Sequence, residues 1–171
     1  MTDIIDTATA FTNIAPARRY VVATDGACRG NPGPGGWGAI LKSFDVDRLP
    51  RTKTVSGAKR HTTNNEMELT AAIKALAWLP ANDVPALVQS DRQYVINGMN
   101  EWRHGWVAKN WRKPDGKPVK NRELLEALIA AMGDREVAWQ WVRGHAGHKG
   151  NETADQLANK AIDRMLHGSQ A

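Results

Sequence analysis

The chain has 171 residues, of which 42% are hydrophobic and 24% charged, enough for one domain with a hydrophobic core. It has no apolar run of the about 20 residues that a membrane helix needs. Its single cysteine, Cys28, excludes an internal disulfide and a cysteine-based zinc cluster. The N-terminus carries no basic residue ahead of its apolar positions, which argues against a secretory signal and favours the cytoplasm.

The first half of the domain is predicted to be a β meander. Residues 1–17 lack hydrophobic periodicity and are predicted to form a flexible leader. Strands are predicted at 18–25, 37–43 and 53–58, with a turn cluster rich in Gly, Pro and Asn after the first strand and a loop at 44–50 after the second. Short links between three strands favour antiparallel pairing.

Helices and strands alternate in the remainder of the chain. Side-chain oxygens at 62–65 can cap a helix that carries Glu66 and Glu68 in its first turn and ends at Pro80. A buried strand at Ala86–Ser90 and a short helix at 92–100 follow.

The chain then continues through a basic stretch, a helix from about residue 121, a strand at 136–142 and a helix at 151–165. The order β-β-β-α-β-α-α-β-α predicts a mixed sheet, because strands separated by helices are usually parallel neighbours. One domain is expected over 18–166, followed by a tail at 167–171.

The positive charge is concentrated in one segment. Between Arg92 and Arg122, eight bases and two acids give a net charge of +6, whereas the whole chain carries +5. Such focusing is typical of a phosphate-binding surface. Three tryptophans in this segment are interleaved with its bases, and both core packing and nucleic-acid binding remain open for them. The residues in question are Trp102, Trp106, Lys109, Trp111, Arg112 and Lys113.

Four acids stand where folding does not require a carboxylate. Asp25 and Asp91 end predicted strands, and the strand ends of an α/β sheet are where ligands bind. Glu68 and Asp155 border apolar helix faces, where a carboxylate is costly unless it is paired or bound to a metal. Taken singly, the two aspartates also fit turn formers and the other two acids fit charged helix flanks. Taken together, the oxygen ligands suit Mg²⁺ or Mn²⁺.

Five segments, in this order, resemble the bacterial type 1 ribonucleases H. They are TDGACRGNPGPGGWGAIL, TTNNEMELTAAIKAL, SDRQYVINGM, KPVKN and WVRGHAGHKGNETADQLA, and they span nearly everything from Tyr20 to Ala161. The resemblance implies an α/β fold of the ribonuclease H type, with a five-stranded mixed sheet (three antiparallel strands, then two parallel) flanked by helices. It also implies an endonuclease that hydrolyses the RNA strand of RNA–DNA hybrids and leaves 3′-hydroxyl and 5′-phosphate ends.

The resemblance also implies the catalytic groups. Two Mg²⁺ ions, for which Mn²⁺ can substitute, would activate water, neutralise the phosphate and stabilise the leaving oxygen. His145 would be a mobile catalytic histidine that moves a proton near neutral pH, with His148 as its competitor. Glu152 would be an auxiliary acid. The implied metal ligands are Asp25, Glu68, Asp91 and Asp155.

Substrate contacts are implied for two regions. The Gly-rich turn and the TTNN segment would line the minor groove, although turn formation and helix capping also explain these residues. The segment at about 100–120 would form a basic protrusion that grips the DNA strand. The residues implied for the minor groove are Asn31, Thr63, Asn64, Asn65 and Gln93.

Two positions depart from the pattern. Arg92 follows Asp91 where the resembled family usually has a small hydroxyl residue, and Gly105 replaces an Asn that helps to hold a DNA phosphate. Either a hybrid-binding module without catalysis or another nuclease of the same superfamily is the alternative. No obligate protein partner is evident, and a monomer is the default expectation.

Overall fold

The computed structural model describes residues 18–144 and 147–168. The predicted leader at 1–17 and His145 therefore lie outside the described residues. The strands are β1 (Arg19–Cys28), β2 (Gly33–Asp45), β3 (Arg48–Thr62), β4 (Ala86–Ser90) and β5 (Val137–Trp141). The helices are α1 (Asn64–Trp78), α2 (Gln93–Asn97), a π-helical turn (Gly98–Trp102), α3 (Arg103–Ala108), α4 (Arg122–Met132) and α5 (Lys149–His167).

The five strands form one mixed sheet in the order β3-β2-β1-β4-β5. The pairs β1–β2 and β2–β3 are antiparallel, whereas β1–β4 and β4–β5 are parallel. The predicted arrangement of three antiparallel and two parallel strands is confirmed. Because β1 and β4 are parallel neighbours, Asp25 of β1 lies beside Asp91, which follows β4. The prediction that Asp25 ends the first strand is wrong: pairing with β2 continues β1 to Cys28, and β2 begins at Gly33, so the turn is shorter than predicted.

Helices cover both faces of the sheet. On one face, α1 and α4 enclose the main core with Val22, Leu41 and Val88. On the other face, α5 packs closely on β2, where a Cβ at Gly38 would lie 2.4 Å from the carbonyl oxygen of Ala154. Gly at this position therefore brings α5 against the sheet. Among the described residues, none of the helices has both the length and the apolar character needed to cross a membrane.

The loop predicted at 44–50 is wrong. β2 runs to Asp45 and β3 begins at Arg48, so a tight turn joins two long strands, with Asp45 opposite Arg48. The first half of β3, Arg48 to Thr54, is exposed throughout and includes three basic residues. Backbone pairing forms this hairpin without the apolar alternation that identifies a strand from sequence.

Two helix boundaries also differ from the prediction. The short helix predicted at 92–100 is Gln93–Asn97, and the chain then continues through the π-helical turn into α3. The last helix extends to His167, so the first residue of the predicted tail is helical.

Candidate active site

Three carboxylates converge where Asp91, which follows β4, lies beside Asp25 of β1. Each of Asp25, Glu68 and Asp91 offers an oxygen atom, and these atoms all lie within 4.8 Å of one another. Asp25 is 4% exposed and Glu68 is 1% exposed. We call these three residues the acid cluster.

The backbone fixes each member of the acid cluster. Asp25 accepts a hydrogen bond on Oδ1 from the amide of Gly26, at 2.9 Å. A Cβ on Gly26 would lie 2.6 Å from the amide nitrogen of Glu68, so the missing side chain lets α1 approach β1. Asp91 directly follows β4, and its carbonyl oxygen accepts a hydrogen bond from Nε1 of Trp141 at 3.0 Å.

Asp155 lies near the acid cluster but outside the group of mutually close oxygen atoms. Asp25 pairs with Gly38 across β1 and β2 and therefore faces α5, which carries Asp155. The charge of Asp155 contributes to raising the pKa of Asp25. Its Oδ1 accepts a hydrogen bond from Nδ2 of Asn159, at 3.3 Å. The metal-binding role of Asp155 stays a prediction.

The acid cluster is electrostatically strained in the absence of a cation. Burial, reinforced by the charges of Asp91 and Asp155, raises the pKa of Asp25 to about 7, although the neighbouring carboxyl of Glu68 and the amide of Gly26 act in the opposite direction. Burial and the charge of Asp25 raise the pKa of Glu68 well above its usual range. Asp25 and Glu68 therefore hold their protons more tightly than exposed carboxyls do.

The oxygen atoms of the cluster fit a bound cation. Among the described residues, nothing donates a hydrogen bond to either carboxylate oxygen of Glu68 or to Oδ1 of Asp91, and all three atoms are buried. Buried carboxylate oxygens without donors are costly unless a positive charge compensates them. Divalent metal ions that prefer oxygen ligands match this donor set.

Of the two candidate histidines, His145 lies outside the described residues and His148 lies within them. His148 is the N-cap of α5, and its Nδ1 accepts a hydrogen bond from the amide of Asn151 at 3.0 Å. This cap gives His148 a structural role and occupies one of its ring nitrogens. Glu152 is exposed in the first turn of α5.

The structure brings the Gly-rich turn and the TTNN segment together. Asn31 accepts a hydrogen bond on Oδ1 from the amide of Asn64, at 3.1 Å. Thr63 caps α1 by accepting from the amide of Glu66 at 3.2 Å. Asn65 is partly exposed, and Gln93 is exposed at the start of α2. A polar surface is thus formed beside the acid cluster, and its contact with substrate stays a prediction.

The tryptophans of the predicted protrusion are not equivalent. Trp111 is 6% exposed and belongs to the core, and Trp106 stacks on it with ring centroids 6.1 Å apart. Trp102 is 41% exposed. Packing therefore accounts for Trp111, whereas Trp102 presents an accessible ring. The three bases Lys109, Arg112 and Lys113 are all exposed.

Arg92 makes a contact that the sequence did not reveal. Its Nε lies 3.4 Å from Oε1 of Glu68. The sequence indicated only that a positive charge follows Asp91. The partner on α1 became identifiable only once the fold placed β4 beside β1.

Comparison with known proteins identifies the family. The RNase H family model matches residues 17–163. The chain belongs to the RNase H family. The ribonuclease H of Bradyrhizobium diazoefficiens is 54% identical over 143 residues, covering 82% of this chain and 88% of the relative. The ribonuclease H of Paracoccus denitrificans is 50% identical over 139 residues, covering 81% of this chain and 89% of the relative.

Solved structures agree with this family. LC9-RNase H1, described as a type 1 RNase H with the type 2 active-site motif, has a TM-score of 0.78 and 31% identity. The match covers 86% of this chain and 74% of LC9-RNase H1. LC11-RNase H1, solved in complex with an RNA/DNA hybrid, has a TM-score of 0.64 over 86% of this chain and 99% of its own. At 24% identity, this second likeness shows the fold alone.

Proposed function

We propose that this member of the RNase H family is an endonuclease that hydrolyses the RNA strand of RNA–DNA hybrids in the presence of Mg²⁺. The carrying observation is the acid cluster, in which each carboxylate offers an oxygen within 4.8 Å of the others. Both buried oxygens of Glu68 and Oδ1 of Asp91 accept no hydrogen bond from a described residue. Such a site is costly for folding and suited to divalent cations. The relatives named ribonuclease H support the reaction class.

The proposed ligands are the acid cluster and Asp155. When bound, two divalent cations supply an activated water, charge neutralisation on the phosphate and stabilisation of the leaving oxygen. Asp25 is suited to a central place among the ligands because the Gly26 amide fixes one oxygen and the neighbouring acids surround it. Mn²⁺ is the expected substitute for Mg²⁺, since it takes the same oxygen ligands.

The other catalytic assignments rest on chemistry. His145 is proposed to carry a proton to or from the reacting groups, because histidine side chains exchange protons near neutral pH. Glu152 is proposed as an auxiliary acid, and its exposure in the first turn of α5 leaves it free to act.

Hybrid recognition is proposed to use two surfaces. The polar surface that joins Asn31 to Asn64, with Thr63, Asn65 and Gln93, offers groups for the minor groove, where the 2′-hydroxyl distinguishes RNA from DNA. The exposed bases of the protrusion offer contacts to phosphates of the DNA strand.

A strand-specific cleavage assay tests the proposal. The chain is incubated with Mg²⁺ and with an RNA–DNA hybrid, a DNA duplex and an RNA duplex, each strand labelled in turn. We expect cleavage of the RNA strand of the hybrid only, leaving 3′-hydroxyl and 5′-phosphate ends, and none with EDTA or with Asp25→Asn. Cleavage of the DNA strand, or full activity of Asp25→Asn, would contradict the proposal.

We also propose that residues 18–166 form the whole catalytic unit and act as a cytoplasmic monomer. A chain starting at Arg18 should retain wild-type cleavage if the leader is dispensable. Sedimentation of the full chain with and without hybrid measures the number of subunits. A dimer that dissociates together with loss of activity would contradict the monomer.

A further inference from the structure

Arg92 lies beside the acid cluster but has no role in the proposed reaction. Its Nε lies 3.4 Å from Oε1 of Glu68, whose side chain is 0% exposed, whereas the side chain of Arg92 is 44% exposed. In the described part of the chain, this is the one basic side chain with a nitrogen within 4.0 Å of a carboxylate oxygen of the acid cluster. A cationic group thus reaches the cluster from its solvent side.

The backbone of Arg92 is held independently of its side chain. Its amide donates to Oγ of Ser90 at 3.1 Å, and its carbonyl oxygen accepts from the amide of Ile96 at 3.3 Å. The preceding carbonyl, that of Asp91, accepts from Trp141. A substitution at position 92 should therefore change the charge near Glu68 without moving Asp91.

The contact compensates only part of the charge of the acid cluster. Oε1 of Glu68 has the arginine at 3.4 Å but accepts no hydrogen bond from a described residue. Oε2 of Glu68 and Oδ1 of Asp91 likewise have no donor there. One guanidinium is consequently a weak counter-ion for three carboxylates, and a divalent cation bound to Glu68 would meet the same oxygen with higher charge.

We propose that Arg92 is a resident counter-ion of the metal site, which pairs with Glu68 when no metal is bound and competes with the first divalent cation. Linkage is reciprocal: if a bound cation weakens the Arg92–Glu68 contact, that contact weakens the binding of the cation by the same free energy. Arg92 would thereby stabilise the metal-free protein and raise the metal concentration needed to load it. The inference rests on the proposed metal site.

The test measures metal binding without substrate. Metal-free wild type, Arg92→Gln, Arg92→Lys and a charge-matched control, Arg51→Gln on exposed β3, are titrated calorimetrically with MnCl₂ alone. We expect Arg92→Gln to bind Mn²⁺ three- to tenfold more tightly than wild type, which corresponds to about 0.6–1.4 kcal/mol. Arg92→Lys, which keeps the charge, should lie between Arg92→Gln and wild type, and Arg51→Gln should equal wild type.

Thermal unfolding provides a second readout. In EDTA, Arg92→Gln should melt below wild type, and the difference should shrink or reverse at saturating Mg²⁺. Equal Mn²⁺ affinities of Arg92→Gln and wild type would overturn the proposal. So would unchanged metal affinity combined with weaker hybrid binding, because Arg92 would then be a phosphate contact.

Asp25→Asn separates this proposal from the one on which it rests. If wild type binds no Mn²⁺, or if Asp25→Asn binds it equally well, the proposed metal site is wrong and the Arg92 proposal falls with it. If Asp25→Asn abolishes binding while Arg92→Gln matches wild type, the metal site stands and only the role of Arg92 fails.

Discussion

Replacing Asp25 with Asn should stabilise the protein when no metal is present. The change keeps the volume of the side chain, and the new Oδ1 can still accept from the amide of Gly26. In the folded protein, burial and the nearby acids raise the pKa of Asp25 to about 7. In the unfolded chain, an aspartate has a pKa of about 3.9.

The magnitude follows from this difference. The folded state holds a proton on Asp25 that the unfolded state releases, so the free energy of unfolding falls as the pH rises from about 4 to about 7 and then levels off. The loss would be roughly 4 kcal/mol for an isolated group. Because Asp25 and Glu68 titrate as a coupled pair, only part of this loss belongs to Asp25. We therefore expect Asp25→Asn to raise the free energy of unfolding by about 2–4 kcal/mol at pH 8 and by almost nothing at pH 4.

Urea and thermal unfolding in EDTA, across pH 4–8.5, measure the effect. A gain of this size raises Tm by about 5–15 °C for a chain of this length. Asp47→Asn, in the exposed turn between β2 and β3, is the matched control and should show no such pH dependence. Saturating Mg²⁺ should stabilise wild type but not Asp25→Asn. The reasoning is refuted if Asp25→Asn is less stable than wild type at pH 8, or if its gain is the same at pH 4.

Three further predictions concern the surrounding residues. Neutralising Lys109, Arg112 and Lys113 should reduce the slope of log affinity against log salt by about one unit per lost phosphate contact. Hybrid titrations at several salt concentrations measure this slope, and an unchanged slope would mean that the three bases face solvent only. His145→Ala should slow single-turnover cleavage about 10²–10⁴-fold. His148→Ala should mainly lower the free energy of unfolding, by about 1 kcal/mol, because the N-cap of α5 is lost. If His148→Ala slowed cleavage more than His145→Ala, their roles would be exchanged. Trp111→Ala should cost about 3–5 kcal/mol in urea unfolding and Trp102→Ala much less, and equal costs would contradict their different burial.

The sequence predicted element boundaries where a buried run or a capping residue marks them. β4 has the predicted bounds, Ala86–Ser90, because a continuous apolar run precedes Asp91. The start of α1 follows from the capping oxygen of Thr63. The β2–β3 hairpin was missed because β3 is mostly exposed, so its side chains carry no alternating pattern and its stability depends on pairing with β2.

The candidate site was predictable in its residues but not in its geometry. The motifs nominated Asp25, Glu68 and Asp91, and the structure brings them together. Helical periodicity placed Glu68 only at the border of the apolar stripe, whereas it is 1% exposed. Its burial depends on how closely α1 approaches β1 at Gly26, which is a tertiary contact. The Arg92–Glu68 contact joins two separate elements and for the same reason has no local signature.

The acid cluster links stability to metal affinity, and two residues change this balance in opposite directions. Removing the negative charge of Asp25 relieves repulsion, so the metal-free protein should gain stability and lose affinity for the cation. Removing the positive charge of Arg92 increases repulsion, so the metal-free protein should lose stability and gain affinity. Both effects require the same buried carboxylates to lack other compensation among the described residues. If Asp25→Asn and Arg92→Gln both raised, or both lowered, the stability of the metal-free protein, repulsion within the cluster would not be the common cause. The same holds if both variants changed metal affinity in one direction.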